Sequence, residues 1–136
     1  MALFNWSDQY SVGVSRMDDH HRQIFDIVNR LHATMKEGKA KEAIGPLMDE
    51  LIEFTEFHFR EEEVLMDKIK YPALLAQKQA HQQFVSQLQA FKQEMNEGQN
   101  TLVAIKVSKM ATDWLKDHIL KMDKKYEEHM KANGIS

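Results

Sequence analysis

The sequence predicts an all-α fold, an up-down-up-down antiparallel four-helix bundle with an extended N-terminal arm. Three observations predict it. Apolar residues recur in a three-four alternation over four separate stretches, the pattern that sets one side of a helix against a core. Between the stretches lie short breaks at Glu37-Gly38-Lys39, Tyr71-Pro72 and Glu97-Gly98-Gln99-Asn100, and short connections join antiparallel neighbours. Gly is scarce and Pro occurs only at positions 46 and 72, so little interrupts long helices. At 136 residues the chain is read as one domain, residues 1–136.

Residues 1 to 17 mix Phe4, Trp6, Tyr10, Val12 and Val14 with polar residues and show no sustained helical period. They are read as an extended arm across the bundle. Ser15-Arg16-Met17-Asp18 fits a capping box, after which His21, Ile24, Val28, Leu31 and Met35 form the buried face of the first helix. Gly38 can take the left-handed conformation that closes it. The second helix runs from about 41 to 67, with Pro46 tolerable only near its first turn, and its core face reads Ile44, Leu47, Leu51, Phe54, His58, Glu62, Leu65. After Tyr71-Pro72 the third helix turns Leu74, Gln77, His81, Phe84, Leu88, Phe91 and Met95 inward. The fourth carries Ala104, Val107, Ala111, Leu115, His118 and Met122, with Trp114 on its flank. The tail from Lys124 is charged, with Tyr126 and Met130 as packing contacts and Gly134 near a frayed end.

Composition excludes several classes of function. Charged residues make up 29% of the chain and the formal net charge is -3, which leaves no basic footprint for nucleic acid or for an anionic membrane. No apolar run approaches the ~20 residues of a membrane span, and the N-terminus lacks the pattern of a secretory signal, so a cytoplasmic protein is expected. With no Cys, any metal must be held by His, carboxylate or amide oxygen.

Such groups converge. His58 and Glu62 lie four residues apart, about 40° around a helix, so one centre can hold both. Both occupy an otherwise apolar stripe, where an unpaired carboxylate would cost several kcal/mol or shift its pKa. His21, His81 and His118 also fall on inward stripes. A core without metal would have to satisfy all of these groups through side-chain networks. Asp123 is five residues past His118, about 140° around a regular helix, so it must enter from the flank or from a distorted last turn. His20, His32 and His129 lie off the stripes, in surface or supporting positions. No Glu-x-x-His pair of the ferritin-like di-iron carboxylate type occurs. A mixed nitrogen and oxygen set rich in His suits iron and reversible redox.

These residues resemble the hemerythrin family, and in particular its single-domain bacterial members, over nearly the whole chain. The resemblance rests on Trp6 and Tyr10-Ser11-Val12-Gly13-Val14, on Asp18 through Phe25, on His58 through Met66, on Tyr71-Pro72 and on Trp114-Leu115 with His118-Ile119 and Asp123. It implies a non-haem centre of two iron ions, Fe2+/Fe3+, joined by an oxo or hydroxo bridge. His21 and His58 would bind one iron and His81 and His118 the other, with Glu62 and Asp123 bridging.

The implied function is reversible O2 binding, for carriage, storage or delivery, with sensing a further possibility. O2 would enter at the His21/His58 iron in a dry pocket, for which Phe25, Phe59, Trp114, Leu115 and Ile119 are the candidate walls. Expected partners are O2 and small anions, and the expected assembly is a monomer or weak homo-oligomer. Where the family has a His, this chain has Gln77, which would give the second iron an amide oxygen or a water in place of an imidazole. Two consequences stay open: the remaining ligands hold the ion and little changes, or both irons have an exchangeable position. The alternative function is a di-iron enzyme acting on peroxide, nitric oxide or ferrous iron through the site opened by Gln77. No general acid or base beyond the ligands is evident, so an enzyme is not expected.

Overall fold

The structure, a computed structural model, describes residues 5–36, 38, 40–98 and 100–136. Four long helices carry it: α1 Ser15–Lys36, α2 Ala40–Lys68, α3 Leu74–Asn96 and α4 Asn100–Lys121. A 3-10 turn, Asp123–Tyr126, and a short helix α5, Glu127–Ala132, follow. Helix α1 packs on α2 and α4, and α3 packs on the same two, which makes the expected antiparallel four-helix bundle. Phe4 of the arm and the predicted inward position Met35 lie outside the described residues or side chains.

The helix ends follow local chemistry. Gly38 takes a φ of +70°, the left-handed conformation that ends α1. Helix α2 ends without a glycine: Lys70 adopts a φ of 54° and Tyr71 N–H reaches back to the Met66 carbonyl at 2.9 Å. Pro46 sits in the second turn of α2, which begins one residue earlier than the sequence suggests, and has no N–H to donate to the carbonyl one turn earlier.

Two faces differ from expectation. The deep stripe of α2 is Ile44, Met48, Leu51, Thr55, His58, Glu62 and Met66, while Leu47, Phe54 and Leu65 are only half-buried at its edge. The stripe therefore lies one position further round the helix, because α2 packs against α4 as well as against its neighbours α1 and α3. Met122 is likewise half-buried, and Val103, Ser108 and Thr112 widen the buried face of α4.

The arm is not extended throughout. Asp8–Tyr10 forms a 3-10 turn that places Trp6 and Tyr10 against Phe25, with ring centroids 5.7 and 5.6 Å from it. Asp18 holds the arm down: its carboxylate accepts from Ser11 Oγ at 2.7 Å and from Val12 N–H at 2.9 Å. From the other end of the chain, Lys124 Nζ donates to the carbonyls of Gln9 and Ser11 at 3.4 and 3.2 Å. Val12 and Val14 are thereby buried in the same apolar cluster as the helices. No helix among the described residues is long and apolar enough to cross a membrane.

Candidate metal centre

All seven predicted ligand positions meet at one depth in the bundle. His21 comes from α1, His58 and Glu62 from α2, Gln77 and His81 from α3 and His118 from α4. Asp123 opens the 3-10 turn after α4, and this break in the helix solves the angular problem seen in the sequence. All seven are buried, Glu62 with no exposed surface at all.

The two carboxylates divide their oxygens between two pairs of imidazoles. Glu62 Oε2 lies 3.5 Å from His58 Nε2 and 3.8 Å from His21 Nε2, while its Oε1 lies 3.1 Å from His81 Nε2. Asp123 Oδ2 lies 3.4 Å from His21 Nε2 and its Oδ1 lies 3.1 Å from His118 Nε2. Donor atoms of Glu62, His81, His118 and Asp123 fall within 4.8 Å of one another, as do those of His21, His58 and Glu62. The geometry is that of two adjacent cation positions spanned by two carboxylates.

A metal-free core fits these contacts poorly. Glu62 Oε1, His81 Nε2 and His118 Nε2 are buried without an aligned hydrogen bond, although oppositely charged atoms are close. Buried polar groups otherwise find partners, so atoms that converge without bonding one another fit a shared cation between them. Four imidazoles and two carboxylates are a donor set that iron accepts.

Both carboxylates stay ionised despite their burial, as a cation site requires. Burial and the Glu62 carboxylate push Asp123 up, but His118 and His21 outweigh them and its pKa falls to about 2. Burial likewise opposes ionisation of Glu62, yet His58 and His81 hold it well below the usual carboxylate range. Burial lowers His21 and His81, and their carboxylate neighbours more than compensate, raising both. His58 is lowered, chiefly by burial.

Support comes from behind the donors. His81 Nδ1 pairs with Glu63 Oε2 at 2.8 Å, and His58 Nδ1 with His20 Nδ1 at 2.9 Å. Each contact leaves Nε2 facing the centre and fixes the ring, the role of a group behind a metal-bound imidazole. Sequence reasoning had allowed His20 a supporting position; it is buried and fills one. Tyr126 was missed. It is fully buried and its hydroxyl donates to Glu62 Oε2 at 2.8 Å. The usable signal was its position three residues after Asp123, which the 3-10 turn brings back toward the centre.

Of the proposed walls, Phe59 stacks on His81 with centroids 3.9 Å apart, and Trp114 stacks on His118 at 4.3 Å. Leu115 and Ile119 are buried on α4 beside His118. Phe25 packs its ring on Trp6 and Tyr10 and so anchors the arm.

The chain matches the family model of the hemerythrin HHE cation binding domain over residues 12–129. It is 30% identical over 133 residues to a bacteriohemerythrin of Stenotrophomonas maltophilia, covering 98% of this chain and 85% of that one. A bacteriohemerythrin of Methylococcus capsulatus is 35% identical over 127 residues, covering 93% of this chain and 95% of the relative. Among solved structures, a wild-type hemerythrin crystal structure superposes with a TM-score of 0.85 at 32% identity, over 95% of this chain and 98% of that one. A bundle that gathers four histidines and two carboxylates is thus matched in sequence and in shape over nearly its whole length, and the chain belongs to the hemerythrin family of O2-binding, non-haem iron proteins.

Proposed function

We propose that the chain binds O2 reversibly at a pair of iron ions held by His21, His58, Glu62, His81, His118 and Asp123, and serves as a carrier, store or delivery protein rather than an enzyme. The observation that carries this reading is the division of both carboxylates between two histidine pairs, with Glu62 Oε2 and Oε1 facing His58 and His81 at 3.5 and 3.1 Å. Iron, when bound there, supplies reversible electron exchange with O2.

The protein's own part is to bind, orient and keep dry. Glu62 and Asp123 would hold both ions, each with one oxygen toward either histidine pair. Glu63 and His20 hold the rings of His81 and His58 with Nε2 inward. Tyr126 keeps its proton, since burial and then the Glu62 and Asp123 charges push its pKa well above the usual range. Its hydroxyl therefore donates steadily to Glu62 Oε2 and fixes that carboxylate. Leu115, Ile119, Phe59 and Trp114 present apolar surface around the donors, which disfavours the water and free protons that would end reversible binding. We place the protein in the cytoplasm as a monomer or weak homo-oligomer. The test is an iron count together with absorption spectra under O2 and under vacuum. Two irons per chain and a visible band that comes and goes with O2 are expected; a colourless, air-inert protein would refute the proposal.

A further inference from the structure

The six donors divide evenly into two poles. His21 and His58 face Glu62 Oε2 and Asp123 Oδ2, while His81 and His118 face Glu62 Oε1 and Asp123 Oδ1. Two imidazoles with carboxylate oxygens are a set that leaves open positions on iron. By donor count, neither pole is closed by these six side chains.

Gln77 stands beside the second pole. It is 1% exposed, its Nε2 donates to Asp123 Oδ1 at 3.0 Å, and its Oε1 is buried without a hydrogen-bond partner. The Asp123 carboxylate can only accept when ionised, so the amide keeps Nε2 toward it and leaves Oε1 as a pure acceptor. Two surface cavities reach the outer faces of the rings at this pole. A cavity of about 400 Å³ is lined by Phe59, Glu63 and His81, and another of about 320 Å³ by Trp114, His118 and Lys121.

We propose that the His81/His118 pole carries a second exchangeable ligand position beside Gln77, and that it takes a small ligand with a proton to donate, of the water and hydroxide class, whose hydrogen bond Gln77 Oε1 accepts. The proposal rests on the two-ion reading above and gives the poles different selectivities. An acceptor-only anion such as azide enters at the His21/His58 pole and is disfavoured against Oε1. Ligands able to donate a proton enter at both.

Manganese(II) takes nitrogen and oxygen donors without O2 chemistry, and water-proton relaxation then counts exchangeable waters at each ion. In the manganese-loaded chain an exchangeable water is expected at both ions, with azide displacing only one of them. Gln77→His supplies an imidazole one turn from His81, so one exchangeable water is lost while circular dichroism stays that of the parent. Gln77→Leu removes the acceptor without supplying a ligand, so both waters remain and azide displaces both. A water at one ion only, azide displacing both waters in the parent, or equal water numbers in the parent and Gln77→His would each overturn the proposal and leave the two-ion reading intact. Failure of the parent to hold two metal ions per chain would overturn both.

Discussion

Glu62 has no exposed surface, and a carboxylate in that position is stable only where positive charge or hydrogen bonds replace the water it has lost. His58, His81 and the Tyr126 hydroxyl replace it here. Truncation to Ala should therefore lower iron content, since it removes the oxygens that face both poles and metal binding is partly folding energy. Two irons per chain in Glu62→Ala would sink that assignment. Leu115 is 2% exposed and one turn before His118, and Leu115→Ala should open the pocket to solvent and hasten autoxidation. An unchanged rate of loss of the O2-bound spectrum would move the gate elsewhere. His21, His58, Glu62, His81 and His118 were legible because ionisable groups on an apolar stripe demand compensation, and the resemblance added Asp123, whose angle then demanded a break in the helix. Tyr126 was not. In a charged tail a tyrosine reads as packing, and only the 3-10 turn shows that its hydroxyl reaches the centre.

Among the elements, the arm carries a constraint of its own. Gly13 has a φ of +74°, and a Cβ built on it would lie 2.6 Å from Cγ of Glu127 on α5. Gly13→Ala should cost about 1–3 kcal/mol through the strained φ and the displaced Glu127. The check is urea unfolding, where an unchanged midpoint would show that arm and α5 adjust freely. The number, order and approximate limits of the helices were readable because each long segment keeps its period and each break carries Gly or Pro. The rotation of α2 was not readable. Leu47, Phe54 and Leu65 are more apolar than Met48, Thr55 and Met66, so hydrophobicity points to the first set and could not show that α4 reaches across and turns the second inward. The arm's 3-10 turn escaped for a similar reason, since its inward pull comes from Phe25 and not from local sequence.

At the scale of the molecule, the centre draws on every long helix. Removal of iron should leave the helices in place, with four imidazoles and two carboxylates facing one another without an ion between them. Saturation a hundredfold above the dissociation constant stabilises by about 2.7 kcal/mol, so chelation should lower the melting temperature by roughly 8 °C or more. Equal melting temperatures for loaded and iron-free protein would show that the ions contribute nothing to the fold. The placement of the donors along the chain has a mechanical meaning as well. With no Cys, the chain has no disulfide to limit how far it can be drawn out. The first and last donors are His21 and Asp123, and the segment between them would span about 350 Å if pulled straight. Iron held at both poles closes that segment into loops, a clip of the kind whose effect grows with the length enclosed. Stretched from its two ends, the loaded molecule should yield the arm and tail first and keep the remaining length hidden until the coordinate bonds give way, in a separate event at higher force. Iron-free chains should release their full length without that late step.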